Sequence, residues 1–179
     1  IGGMGVLVFI LCLLPLTGGY HMNLMKAESP GPSVSKLVPK VQSTAKILYT
    51  IYIILTIVEI IFLLIGKMPL FDTLCLSFGT AGTGGFGIKN DSIASYSTYN
   101  QVVITVFMIL FGINFNAYYL LLTKKVMQAA KNEEVRYYLG IIGLAIVAIA
   151  INTREMFTSF GRAFQQAAFQ VGSIITTTG

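Results

Sequence analysis

The residues whose types and spacing could do chemistry lie in one stretch, Ser77-Phe78-Gly79-Thr80-Ala81-Gly82-Thr83-Gly84-Gly85-Phe86-Gly87. Its last six positions hold four glycines. Such a set says that backbone, rather than side chains, must approach something closely or take up positive φ. A small-residue loop between a half-length helix and a spanning helix is how a membrane protein brings backbone carbonyls to an ion. A ring of such carbonyls replaces the hydration shell of a dehydrated cation. An ordinary turn could have the same composition, because Gly is frequent in membrane helices and their loops. The elements around the loop decide between the two.

Those elements belong to a membrane protein. Of 179 residues, 55% are hydrophobic and 11% charged, where a soluble domain carries roughly 25% charged residues. The chain opens on Ile1 inside an apolar run and closes at Gly179 inside a threonine-rich loop. It reads as an internal fragment of a longer chain. Cys12 and Cys75 sit in separate apolar runs without metal-ligand spacing and read as small buried hydrophobes. His21 is the only histidine and has no carboxylate beside it. No nucleotide loop, nucleophile elbow or carboxylate pair appears, so no enzyme and no covalent cofactor is expected. The net charge of +5 suits loops facing anionic lipid better than nucleic acid.

Taken in order, residues 1–17 form an apolar helix and 18–45 a polar connection in which Pro30, Pro32 and Pro39 forbid one long helix. Residues 46–123 form one unit. Its first helix, 47–66, is long enough to span and is bracketed by Lys46 and Lys67, whose stems can snorkel; Glu59 interrupts it. Residues 69–81 are too short to span, and Leu70, Phe71, Leu74, Cys75 and Phe78 recur at helical spacing. The loop 82–87 follows, then a polar loop. A second apolar segment, 101–123, is broken by Gly112-Ile113-Asn114-Phe115-Asn116, whose asparagines must face protein or water. A charged connection, 124–136, leads to residues 137–179. These hold a span, a second half-helix from Glu155 with Phe157, Phe160, Phe164, Ala168 and Val171 near helical spacing, and a loop Ser173 to Gly179.

The order span, half-helix, small-residue loop thus occurs twice. Aligning Gly85 with Gly179 lays Thr83 on Thr177, and this recurrence argues against an ordinary turn. Lysine and arginine bias places the connections around Lys26 to Lys46 and Lys124 to Arg136 in the cytoplasm. Both loops then face outside. Thr83-Gly84-Gly85-Phe86-Gly87 also reads as a variant of the potassium-channel filter pattern Thr-Val-Gly-Tyr-Gly.

Four stretches in this order carry a resemblance: Ile1-Gly2-Gly3-Met4-Gly5, Lys26-Ala27-Glu28-Ser29-Pro30-Gly31-Pro32, Thr83-Gly84-Gly85-Phe86 and Ser173 to Gly179. The chain resembles the membrane subunit of the Trk/Ktr/HKT superfamily of potassium-uptake proteins, nearest the TrkH branch. The resemblance covers nearly the whole chain. It implies an all-α membrane fold of four non-identical repeats, each helix, pore helix, filter, helix. This chain would hold the end of repeat two, all of repeat three and the front of repeat four. It implies K+ as the transported ion, bound at Thr83, Gly84, Gly85 and Phe86 and at Thr177, Thr178 and Gly179. It also implies a gate at Gly112, Ile113, Asn114, Phe115 and Asn116, a homodimer in the cell membrane, and a cytosolic nucleotide-binding regulatory subunit. Where the family often has two adjacent glycines at the break, this chain has Phe111-Gly112. Oxygen-only ligands suit a hard monovalent cation, but the residues do not fix potassium over sodium.

Two other readings stand beside transport by this family. A homotetrameric potassium channel would not need a second, different repeat in the same chain. A membrane scaffold or enzyme without a pore would need a catalytic set, and Glu59 stands alone.

Overall fold

A computed structural model describes residues 41–122 and 132–178. The expectations for residues 1–40, for most of the 124–136 connection and for Gly179 lie outside them. The described residues are helical, with no strand among them.

Helix α1, Val41–Ile65, begins six residues before the expected 47. Its segment Lys46–Ile65 is 20 residues of mean hydropathy 2.6, enough to cross a hydrocarbon core. It stops in a left-handed cap. Lys67 takes φ 57°, the Lys67 N–H donates to the Leu64 carbonyl (2.9 Å) and the Met68 N–H to the Leu63 carbonyl (3.3 Å). Leu63 and Met68 are both buried in one core, the apolar contact that usually accompanies such a cap. Pro69 then opens α2, Leu70–Ala81. Twelve helical residues reach about 18 Å, so α2 cannot span.

Helix α3, Thr98–Phe111, starts at Ser97, whose hydroxyl accepts from the Asn100 N–H (3.3 Å). It approaches the end of α1 closely. A Cβ on Gly66 would fall on the Asn100 side-chain amide, and that amide donates to the Gly66 carbonyl (3.3 Å). Residues 112–114 interrupt the helix, and α4 resumes at Phe115–Leu122. Helix α5, Glu133–Asn152, is capped by the Asn132 side chain, which accepts from the Glu134 N–H (3.1 Å). The cap and two acidic residues in the first turn favour a helix N-terminus here. They start the helix four residues earlier than the apolar run at 137. A short 3-10 turn, Arg154–Met156, leads to α6, Phe160–Ile175, so the second half-helix is shorter than the run from Glu155.

Helix α1 packs on α2, α3 and α4, while α6 packs on α5 and α3. The α3–α6 contact therefore joins the first helix-and-loop unit to the second. Aromatic pairs stitch α1 to α3: Tyr52 with Phe111 at 5.7 Å and Phe62 with Phe107 at 6.1 Å.

Helix α2 buries the side opposite to its apolar stripe, whereas α6 buries Val171 of its expected stripe and leaves the phenylalanines exposed. In α2 the buried residues are Thr73, Leu76, Ser77, Thr80 and Ala81, while Phe71 is 67% exposed and Phe78 57%. In α6 they are Ala163, Ala167, Val171, Gly172 and Ser173, while Phe160 and Phe164 are exposed. Small residues allow close approach of helices, and large apolar ones outside suit a surface met by lipid or further helices.

Candidate functional site

The loop at the end of α2 is built from backbone hydrogen bonds. The Gly82 N–H donates to the Phe78 carbonyl (2.9 Å), Thr83 to Thr80 (3.1 Å) and Gly84 to Gly79 (2.8 Å). This is the left-handed C-cap again, with Thr83 at φ 49° where glycine is usual. A β-branched residue there is strained. Gly85, at φ 64°, supplies a second left-handed position that its missing Cβ tolerates. Three N–H groups are thus turned back into the helix. Among the described residues, no carbonyl of 82–87 accepts a hydrogen bond.

The second loop repeats this bond for bond. Thr176 donates to Gly172 (3.1 Å), Thr177 to Ile174 (3.2 Å) and Thr178 to Ser173 (3.0 Å). Thr177 takes φ 56°. Shifted by the alignment of Gly85 with Gly179, these are the same three donors and acceptors as in the first loop. The Thr176 hydroxyl also bonds the Gly172 carbonyl (2.7 Å) and lies 2.7 Å from the Thr178 hydroxyl. Gly179 lies outside the described residues.

The two loops meet. Gly85, Phe86 and Thr178 line one cavity of about 30 Å³ with Thr80, Met108 and Phe169. Phe86 itself is 82% exposed. Each half-helix directs its C-terminal, partly negative end at its loop, with no basic residue in its last turn. A helix C-terminus carries roughly half a negative charge and favours a cation.

Side chains that the motif analysis did not single out hold this arrangement. Gln101, buried in α3, donates its amide N–H groups to the carbonyls of Ile93 (3.2 Å), Ala94 (3.1 Å) and Tyr96 (2.9 Å). Its carbonyl accepts from the Gln165 amide on α6 (2.8 Å). One side chain therefore fixes the segment after the first glycine loop and ties it to the second half-helix. The Tyr96 hydroxyl donates to Asp72 on α2 (2.7 Å). Burial and that carboxylate push the Tyr96 hydroxyl up to about 12, so it remains a donor at physiological pH. Polar residues within apolar helices are the signal that could have found Gln101 and Gln165.

The break in α3 is narrower than the expected 112–116. Gly112, Ile113 and Asn114 leave the helix, whereas Phe115 and Asn116 begin α4. The reason is that the Ala117 N–H already bonds the Asn114 carbonyl (2.9 Å), which starts the next turn. Because the Ile113 N–H turns to Leu110 (3.1 Å), the Ile109 carbonyl loses its helical partner. The Tyr138 hydroxyl from α5 replaces it (3.1 Å). The Tyr118 hydroxyl adds a bond to Leu110 (2.7 Å). Buried Asn114 donates its amide to Glu134 on α5 (2.8 Å). Gly112 has an ordinary helical φ of −79°; it is needed for space. A Cβ there would meet the Tyr138 hydroxyl and stand 2.9 Å from the Thr176 methyl. The break therefore rests against the head of the second loop.

Glu59 is fully buried in α1. It forms no ion pair among the described residues and its carboxyl oxygens make no hydrogen bond.

The strained C-cap generates a direct test. Thr83→Gly in the full-length protein should stay within about 1 kcal/mol of the parent, since relief of left-handed strain offsets the flexibility gained by the unfolded chain. Thr83→Pro should cost about 3 kcal/mol or more, because Pro fixes φ near −65° and removes the N–H bonded to Thr80. Thermal unfolding in detergent separates the two. Equal stability of both variants would contradict the geometry.

Comparison with known proteins bears on this geometry. Residues 1–152 match the family model described as TrkH, cation transport protein. The Trk system potassium uptake protein TrkH of Salmonella typhimurium is 31% identical over 183 residues, covering 99% of this chain and 38% of its own length. The TrkH of Vibrio parahaemolyticus is 34% identical over 186 residues, covering 99% and 38%. The chain thus spans about 38% of the length of the curated relatives it matches. The crystal structure of the potassium transporter TrkH from Vibrio parahaemolyticus superposes with a TM-score of 0.75 at 28% identity, over 99% of this chain and 36% of that one. With two helices among the described residues long and apolar enough to cross a membrane and a family match over most of its length, this membrane chain belongs to the TrkH family of cation transport proteins.

Proposed function

We propose that this chain contributes the third filter and the start of the fourth to a potassium-transporting membrane protein. The observation that carries the reading is the set of unengaged carbonyls at 82–87 beside Thr178. They lie where two half-helix C-termini converge. Thr83, Gly84, Gly85 and Phe86, with Thr177, Thr178 and Gly179, supply oxygen ligands to a dehydrated K+. The names of the matched relatives, potassium uptake proteins, support the choice of ion. The protein does no covalent chemistry and needs no covalent cofactor. Two different loops in one chain disfavour the homotetrameric channel.

The gate in this reading is the Gly112 to Asn116 region, with Gly112 to Asn114 unwound. Its support is the bonding of the break to α5 through Glu134 and Tyr138. Helix α5 begins within the expected 124–136 connection, so a cytosolic nucleotide-binding subunit acting on that connection reaches the break through α5. The protein works as a homodimer in the lipid of the cell membrane, with both loops facing outside.

Gly85→Ser in the full-length protein tests the filter. A Cβ at φ 64° is strained and intrudes on the ion path. The preference for K+ over Na+, measured by uptake in a complementation strain, should fall about tenfold or more, a loss of about 1.4 kcal/mol, with expression retained. Unchanged selectivity would sink the filter assignment. For the gate, Asn114→Ala and Tyr138→Phe each remove one bond of about 1 kcal/mol. Each should raise flux about fivefold at a fixed gradient without the regulatory subunit. Flux equal to the parent's, with a full response to nucleotide, would place the gate elsewhere.

A further inference from the structure

Glu59 demands a physical account that neither the fold nor the filter gives. It lies on α1, which packs on α2, and is fully buried, with both carboxyl oxygens lacking a hydrogen bond among the described residues. The Ser77 hydroxyl, fully buried on α2, is also without a partner. Thr80, one turn further along the same face of α2, is the polar residue that interacts with the carboxyl. Its own hydroxyl is 2.9 Å from the Leu76 carbonyl and donates there. An apolar side chain of similar volume would join α1 to α2 more cheaply than a buried carboxyl can. Holding two helices together therefore does not explain this residue.

What lies on the far side of Thr80 does. The Thr80 carbonyl accepts from the Thr83 N–H (3.1 Å), and the adjacent Gly79 carbonyl accepts from Gly84 (2.8 Å). The residue that Glu59 meets is thus the one from which the first loop hangs. No water or vestibule reaches the carboxyl among the described residues, since Glu59 is 0% exposed. Attraction of cations to an open mouth is therefore not its role. We propose that Glu59 is a positioning residue for the Thr83–Gly85 loop, acting through Thr80 to fix the last turn of α2. Small movements of that turn move the loop carbonyls together. Selectivity among monovalent cations depends on the size and field of the carbonyl site, so its accuracy depends on what braces it from behind. The fourth-repeat half-helix has Val171 at the position aligned with Ser77, and Ile174 at the one aligned with Thr80. The polar brace is therefore specific to the first loop.

This inference rests on the filter reading, and the experiment separates the two. The full-length protein carries Glu59→Gln, Glu59→Met or Thr80→Val, with Gly85→Ser as control. Each is reconstituted in lipid vesicles, and the K+ over Na+ preference is measured beside thermal unfolding. Glu59→Gln retains a polar head of the same shape and should stay within about twofold of the parent. Glu59→Met and Thr80→Val should each lower the preference about fivefold, equivalent to about 1 kcal/mol, while the protein remains folded. If both fold and keep the parent's preference while Gly85→Ser loses it, the positioning role is overturned and the filter reading survives. If Gly85→Ser also keeps it, the filter reading itself fails. A Glu59→Met that does not accumulate leaves Thr80→Val to decide, and parent-like preference there overturns the proposal. Loss of thermal stability with an unmoved preference likewise reduces Glu59 to a structural residue.

Discussion

The turned-back N–H groups at the ends of the two half-helices are the interaction on which the rest depends. In each, three consecutive amides bond into the last turn, and a threonine is held in the left-handed region. A helix C-terminus ordinarily has four carbonyls to satisfy. The cap satisfies three of those and passes the chain on with its next carbonyls unused. A soluble protein would hydrate such groups. In a membrane they must face water, protein or an ion, so the cap converts a folding requirement into a surface of unengaged carbonyls.

Placing that surface requires elements that do not move independently. The cap on α1 sets the entry of α2, and Gly66 lets α3 pack against it at contact distance. Gln101 then joins the outer loop to α6 through Gln165. The α3 break is satisfied from α5 rather than from its own helix. The Gln101–Gln165 bond and those of the break cross from the first helix-and-loop unit to the second. The arrangement is therefore a property of neighbouring units, and the second completes contacts that the first cannot make alone.

Much of this was legible in the sequence. Hydropathy and length located the spanning helices, because a hydrocarbon core demands long apolar runs. The glycine loop and its threonine-rich counterpart were visible from composition, and the Gly85–Gly179 alignment anticipated the bonding register that the two caps share. Other features were hidden for physical reasons. The apolar stripe of α2 is the obvious periodic signal, yet it faces outward, because in lipid the packing face is the one with small residues. The extra turn of α5 is specified by the Asn132 cap and not by hydropathy. Tyr138, Glu134, Gln101 and Gln165 gain meaning only from partners far along the chain. The limits of the break likewise follow from where the Ala117 N–H finds an acceptor, which no local residue preference states.

The central claim is that the carbonyls released by these caps hold the cation. The most direct measurement is anomalous scattering from crystals of the full-length protein grown in a rubidium salt, Rb+ standing in for K+. The account predicts an anomalous peak in the cavity shared by Gly85, Phe86 and Thr178, surrounded by backbone oxygens of both loops. A rubidium peak held instead by carboxylates away from the two caps, with none between the loops, would contradict it.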